Sequence, residues 1–334
     1  MKSLPDQVFA SGLETVPDAK PLNNCRWVLF QRGSQGWERV RVDEGRTREP
    51  SPLAAFSDGR VFLSANPTLG SGPEPGGGPA RPDVFQFTAR DPKATPLSLK
   101  PAWQGSPPFS EHSYRSLATD SANGELVLFQ NTVDYTQAQW TFRDRTGQWS
   151  AQGQIKWPWG AECDQPEPVR ICYPNVAAHD RAVHFFGVSD IIEPYKAWRD
   201  FKRELTGQQW DYDFRRLFYT WTRDITKEPF NKWVEIASRD KTCGRVFPGD
   251  LWLPPPRHDG PRSQSTAVPA PPGQLRKVCQ HSPARPGRWP RARCADSPSS
   301  PVKCARCHPI WPTQPPAILR QSECVPPPAS SGNG

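Results

Sequence analysis

RSLATDSANGELVLFQN (residues 115–131) followed by AQWTFRDRTGQWSAQGQI (138–155) reads as two consecutive β-hairpins. In the first, ELVLFQN (125–131) is short, apolar and rich in strand formers. It follows Asn123-Gly124, a pair that supplies the positive φ of a tight turn. In the second, Trp140 and Phe142 alternate with Gln139, Thr141 and Arg143, the period of a half-buried strand. Asp144-Arg145-Thr146-Gly147 then turns the chain, and Trp149 opens the next strand. The four strands make one antiparallel sheet, too small to be stable alone.

The unit recurs. LAAFSDGRVFLSANP (53–67) repeats the first hairpin around Asp58-Gly59, and DVFQFTARDPKATPLSL (83–99) has the form of the second. NVAAHDRAVHFFGVSD (175–190) and RRLFYTWTRDITKEPFNKWVEIAS (215–238) give the pair again. RWVLFQRGSQGWERVRV (26–42) looks like a second hairpin whose first partner is missing or comes from elsewhere. The turn positions Gly59, Gly124 and Arg181 lie 65 and 57 residues apart. Four-stranded repeats of that length imply an all-β chain of β-propeller blades, with a β-sandwich as the alternative.

The formal charge of +8 is not spread over this repeat region. Residues 251–334 hold 11 Lys+Arg against 3 Asp+Glu, and residues 1–250 hold 31 of each. A neutral body gives no electrostatic footprint for nucleic acid, so no nucleic-acid partner is expected. The same last segment has 19 of the 41 prolines and 5 of the 9 cysteines but no Phe or Tyr, a composition for disorder. Its onset is abrupt: GDLWL (249–253) reads as a new strand and runs straight into Pro254-Pro255-Pro256. Residues from about 245–254 onward are therefore expected to be read in a shifted frame, with a natural Pro-rich tail as the alternative. The organisation expected is an N-terminal segment 1–24, blades over 25–253 and the Pro/Arg/Cys-rich tail 254–334.

No apolar h-region follows Met1 and no run of 18 apolar residues exists, so neither a secretory signal nor a membrane span is expected. The compartment expected is the cytoplasm, or the exterior if translation starts elsewhere. Cys25, Cys163, Cys172 and Cys243 lack metal-ligand spacing and read as buried free thiols. Cys304-Ala305-Arg306-Cys307-His308 fits a haem-attachment pattern. It sits in the suspect tail, and Met1 is the only methionine, so it is taken as a chance match. No cofactor and no metal are expected.

Three stretches carry candidate chemistry. Glu111, His112, Tyr114 and Arg115 crowd a strand start, where a propeller's inner strands reach its ligand face. A Tyr beside a carboxylate can act as a nucleophile, and an Arg can hold a substrate carboxylate. In WPWGAECDQPEPVRICYPN (157–175), Trp157 and Trp159 are placed to stack on sugar rings, with Glu162 and Arg170 on hydroxyls or a carboxylate. Packing between blades by the same tryptophans is the alternative. An insertion at about 193–207 reads as a helix, with Pro194 in its first turn, Trp198, Phe201 and Leu205 on one stripe, and Gly207 as its stop. It is either a lid or a packed surface helix. Asp211 and Asp213 follow and suit acid/base work, or else balance Arg215 and Arg216. The glycines of GSGPEPGGGPARP (70–82) precede no helix and read as loop.

The stretches SEHSYRS (110–116), WPWGAE (157–162), CYPNVA (172–177), WDYDFRRLFYTWT (210–222) and EIASRDKTCG (235–244) resemble the BNR/Asp-box propellers of the sialidase superfamily, in an uncharacterised bacterial branch. The resemblance covers about residues 25–253. It implies a six-bladed propeller, of which about four blades are readable here, and glycan hydrolysis of the sialidase type. On that reading Tyr114, Glu111 and Arg115 form the catalytic group, with an acid/base carboxylate among Asp190, Asp211 and Asp213. The substrate-binding set is His112, Trp157, Trp159, Glu162, Arg170, Arg215 and Arg216. The partner expected is a glycan. Asp144-Arg145-Thr146-Gly147-Gln148-Trp149 departs from an Asp-box by one extra residue between Asp and Gly, and the N-terminal Arg-Ile-Pro element is absent. A non-catalytic propeller that binds glycan or protein, or an inactive truncated product, is the alternative.

Overall fold

The computed structural model describes residues 7–16, 25–42, 47–70, 79–134, 136–208, 212–241, 245–246, 248 and 251. They form four antiparallel sheets in succession, a four-blade β-propeller arrangement with one helix. Blade 1 is β1 (Phe9–Thr15), β2 (Cys25–Gly33) and β3 (Gly36–Val42), in that order. Blade 2 is β4 (Leu53–Ala55), β5 (Arg60–Ala65), β6 (Asp83–Thr88) and β7 (Leu97–Leu99). Blade 3 is β8 (Arg115–Asp120), β9 (Glu125–Asn131), β10 (Gln137–Arg143) and β11 (Trp149–Lys156). A two-stranded ribbon follows, β12 (Trp159–Gly160) with β13 (Glu167–Pro168). Blade 4 pairs β14 (Ile171–His179) and β15 (Ala182–Ser189) with two later strands, across an insertion of β16 (Ile191–Ile192), α1 (Lys196–Thr206) and β17 (Tyr212–Asp213). Those later strands are β18 (Arg216–Thr222) and β19 (Val234–Ser238).

Apolar clusters between successive sheets bury what each sheet cannot bury alone. Trp27 and Leu29 of blade 1 meet Val61, Leu63 and Phe87 of blade 2. Phe56, Phe62 and Val84 meet Leu117, Leu126 and Leu128 of blade 3. Val127, Phe129 and Phe142 of blade 3 then meet Val183, Phe185 and Phe218 of blade 4. Strand-rich sequence with polar turns leads to this layering because the alternating side chains give every strand a face to bury.

Two expectations about elements change. The partner of the 26–42 hairpin is β1, from the segment read as an N-terminal lead. FASGLET carries no strand signature of its own, yet it pairs residue for residue with β2, from Phe9 opposite Gln31 to Thr15 opposite Cys25. The helix starts at Lys196 rather than near 193, so Pro194 lies outside it. Its Tyr195 cap offers no side-chain bond; instead Asp164 accepts from the Lys196 N–H at 2.5 Å, placing a carboxylate at the positive end of the helix. Gly207, at φ 73°, ends it. The apolar stripe does not pack inward. Trp198 and Phe201 meet edge to face, and Phe201 and Leu205 are 48% and 72% exposed. Among the described residues no helix is long and apolar enough to cross a membrane. Cys25, Cys163 and Cys172 are buried free thiols; Cys243, GDLWL as a unit and the Cys304–His308 pattern lie outside the described residues.

Blade 4 has a close approach that only glycine allows. The β14–β15 ladder is irregular between Cys172 and Asn175, and Tyr173 there takes a φ of 48°. A Cβ on Gly187, in the facing strand, would sit 2.5 Å from Ile171 Cγ2 and 2.7 Å from the Cys172 carbonyl oxygen. Backbone cannot step aside as a flexible side chain can. Gly187→Ala should therefore cost about 1–3 kcal/mol, read as a lower urea midpoint at unchanged slope.

Candidate functional site

The first strands β4, β8 and β14 of three blades lie side by side, so the segments that lead into them meet at one end of the propeller. Arg48 and Glu49 precede β4, Glu111 to Tyr114 precede β8, and Arg170 to Tyr173 open β14. Asp190 follows β15 at the same end, because Ile171 pairs with Ser189. The topology thus gathers Glu111, His112, Tyr114, Arg115, Arg170 and Asp190 at one end.

Their chemistry is largely turned inward. Arg115 is 6% exposed and donates to the Ser64 and Glu49 carbonyls, at 3.4 and 3.1 Å, and to Ser51 Oγ at 3.1 Å. It ties blade 3 to blade 2, and burial, opposed by Glu49, pulls its pKa down to about 10. Arg48 donates to His112 Nδ1 at 2.8 Å, which leaves the ring proton on Nε2, 3.5 Å from Glu111 Oε1. Burial and then the Arg48 charge lower the His112 pKa to about 3, so this imidazole stays neutral. Tyr114 packs edge-on against Tyr173, with ring centroids 4.9 Å apart. Burial, then the nearby Asp190 charge, raise its phenol well above the ordinary value, the opposite of what a nucleophile needs. Arg170 is placed on Asp190 rather than on an open surface, with Nη2–Oδ2 at 2.7 Å. Burial raises Asp190 and Glu49 even so, although Arg170 and Arg48 respectively oppose it.

Outward from this cluster runs a buried ion-pair network. Asp213 is fully buried. Its Oδ1 accepts from Ser189 Oγ at 3.0 Å and the Arg215 N–H at 2.9 Å, and its Oδ2 from Arg216 Nε at 3.0 Å. Arg215 grips Glu193 in two-point fashion, with Nη2–Oε1 at 2.9 Å and a second bond from Nη1 to Oε2, and donates through Nε to Asp240 at 2.6 Å. Arg216 adds Glu162 through Nη1 at 2.6 Å. Arg215 and Arg216 are each 1% exposed, so they hold the fold and are not laid out for a substrate carboxylate. Asp213 balances them, and Asp211 lies outside the described residues.

The same network backs an open cleft of 610 Å³ between blade 4 and the segment 157–169 that leads into it. Trp157, Phe218 and Trp233 supply aromatic wall, while Glu162, Tyr195, Lys232, Glu235 and Asp240 supply polar groups. Of the two predicted tryptophans, Trp157 is 5% exposed, with its indole N–H buried and without an acceptor among the described residues. Trp159 is 62% exposed on the β12–β13 ribbon. Trp233 is anchored by its Nε1, which donates to the Lys156 carbonyl at 2.8 Å. Glu235 and Asp240 diverge electrostatically. Burial raises Glu235, against the pull of Arg216 and with help from Asp240. Burial would raise Asp240 too, but bonds from Ser238 and Arg215 outweigh it and hold the carboxyl low. Lys232, Trp233, Glu235 and Asp240 were not singled out as site residues from sequence. Glu235 and Asp240 both lie within the stretch EIASRDKTCG (235–244), whose alternation alone does not mark them as cleft residues.

At the opposite end of the blades, Asp120, His179 and Asp180 are close enough for a shared metal ion. Asp120, however, already accepts from the Ala122 and Asn123 N–H groups through Oδ1, and from Asn123 Nδ2 and the Asp180 N–H through Oδ2. Those bonds lock the blade 3 turn to the blade 4 turn and occupy the oxygens a metal would use.

No protein-family model matches the chain, and no curated protein matches it. Among solved structures it is similar to a GH43 β-1,3-galactosidase, at 12% identity over 70% of this chain and 43% of that one, with a TM-score of 0.39. An α-L-arabinofuranosidase from Fusarium graminearum, in complex with an iminosugar inhibitor, matches at 12% identity over 72% of this chain and 66% of its own, with a TM-score of 0.43. A second GH43 β-1,3-galactosidase, with galactodeoxynojirimycin, matches at 10% identity over 70% and 73% of the two chains, with a TM-score of 0.39. The chain thus spans less than two thirds of the length of the first two.

Proposed function

We propose that the protein binds glycans in the cleft between blade 4 and the segment 157–169. The observation that carries this reading is Trp159, a large aromatic 62% exposed at the mouth of a 610 Å³ cleft that also holds carboxylates and an ammonium. A solvent-facing indole is a flat apolar platform for the C–H face of a sugar ring, and convergent carboxylates accept from its hydroxyls. The ion-pair network fixes two of those carboxylates, Glu162 and Asp240, before any ligand arrives. The sialidase-type reading of Tyr114 is not what the cluster favours, since its phenol is held protonated and its neighbours are paired.

Titration calorimetry against a panel of oligosaccharides tests this reading, with reducing ends assayed in the same mixtures to separate turnover from binding. Trp159→Ala should weaken binding about 30-fold, the loss of a buried aromatic anchor worth about 2 kcal/mol. Its melting temperature should not move, because the side chain buries little in the free protein. Undiminished binding by Trp159→Ala would remove the cleft from consideration.

A further inference from the structure

The geometry points to a cationic amino sugar as the unit the cleft selects, and to exclusion of acidic sugars. This rests on the glycan-binding reading above and adds the charge of the ligand. Recognition of a sialate or uronate normally needs a guanidinium free to hold its carboxylate in two-point fashion. The two arginines behind the cleft are spent: Arg215 on Glu193 and Asp240, Arg216 on Asp213 and Glu162. What reaches the cleft among the described residues is the carboxylates of Glu162 and Asp240, each paired on one oxygen to an arginine, the carboxylate of Glu235 and the ammonium of Lys232. A ligand carboxylate would enter beside Glu235 and the outer oxygens of two carboxylates already paired to arginine, whereas a ligand ammonium meets acceptors on several sides.

The preference should depend on pH in a definite direction. Glu235 is the carboxyl raised by burial, facing Arg216, Asp240, Glu162 and Asp213, with Lys232 and Tyr195 in the same cleft. As pH falls through its raised value it takes up a proton and one attraction for the ammonium disappears. At high pH the ligand amine loses its own charge. Selectivity for the amino sugar therefore peaks between the two.

The experiment compares glucosamine oligomers, N-acetylglucosamine oligomers of equal length and galacturonate oligomers by calorimetry on the full chain at neutral pH. Glucosamine oligomers should bind at least about 10-fold more tightly than the acetylated ones, a difference of about 1.4 kcal/mol. Galacturonate oligomers should bind weakest. The ratio between the first two should shrink in Glu235→Gln, in Glu162→Gln and at raised salt. Equal or tighter binding of galacturonate overturns the inference, as does a glucosamine to N-acetylglucosamine ratio near one; in either case the glycan-binding reading stands. Failure of all three to bind, with Trp159→Ala indistinguishable from the parent chain across the panel, overturns both.

Discussion

Asp213→Ala should lower the stability of the blades by about 3–5 kcal/mol. Asp213 is fully buried and shares its two oxygens among Ser189, the Arg215 backbone and the Arg216 guanidinium. Removing it leaves Arg216 Nε and the Ser189 hydroxyl without their acceptor, with Glu162 alone still pairing the Arg216 guanidinium, and the cost is the desolvation of groups left unpaired rather than the net worth of the pair. Asp213→Asn keeps the shape but loses the charge, and should fall between. Guanidinium denaturation of the three proteins measures the series; an alanine variant within 1 kcal/mol of the parent would mean that water or a rearranged carboxylate replaces Asp213. The adjoining Glu193 adds a pH test. Burial alone would raise its pKa, but Arg215 and Lys202 outweigh it, so the carboxyl lies below its ordinary value. A carboxyl depressed on folding contributes stability that is present above its unfolded pKa. That contribution is lost as pH falls through the depressed one, so the blades should weaken in acid over that interval.

Phe185→Ala should cost about 3–5 kcal/mol. The ring is fully buried and packs against Phe129 at 5.1 Å, Trp233 at 5.6 Å and Trp157 at 6.4 Å between ring centroids. It is thus the point at which blade 3, blade 4 and the cleft wall share one cluster. Because Trp157 and Trp233 line the cleft, the cavity left by truncation should also weaken glycan binding, without any direct contact between Phe185 and ligand. Phe185→Leu refills most of the volume and should restore much of both losses. Unfolding midpoints and calorimetry on the two variants check this; binding lost in both to the same extent would argue against a purely supporting role.

The hairpins of blades 2, 3 and 4 were legible because their signals are local. Side-chain alternation, Asp58-Gly59, Asn123-Gly124 and the Asp180-Arg181 pair, now seen at φ 48° and 65°, all act within a few residues. β1 was not legible, since FASGLET becomes a strand only through the ladder that β2 offers it. The helix stop at Gly207 was readable, but its start was not, because the capping carboxylate of Asp164 arrives from a distant loop. The tryptophans of WPWGAE show the same limit: two residues apart, Trp157 is buried and Trp159 exposed, and nothing in the motif says which is which.

The residues by themselves determined that this chain forms antiparallel strand units in series, and which polar residues stand at their ends. Backbone geometry and alternation require no distant partner to be expressed. Tertiary structure decided which of those polar residues are spent and which are presented. Arg115, Arg215 and Arg216 look like ligand-binding arginines in sequence and are consumed by acceptors elsewhere in the fold. Trp159, Lys232 and Glu235 come together only because the ribbon segment 157–169 and the last part of blade 4 line one cleft. Burial and pairing depend on neighbours remote along the chain, and local pattern carries no information about those neighbours.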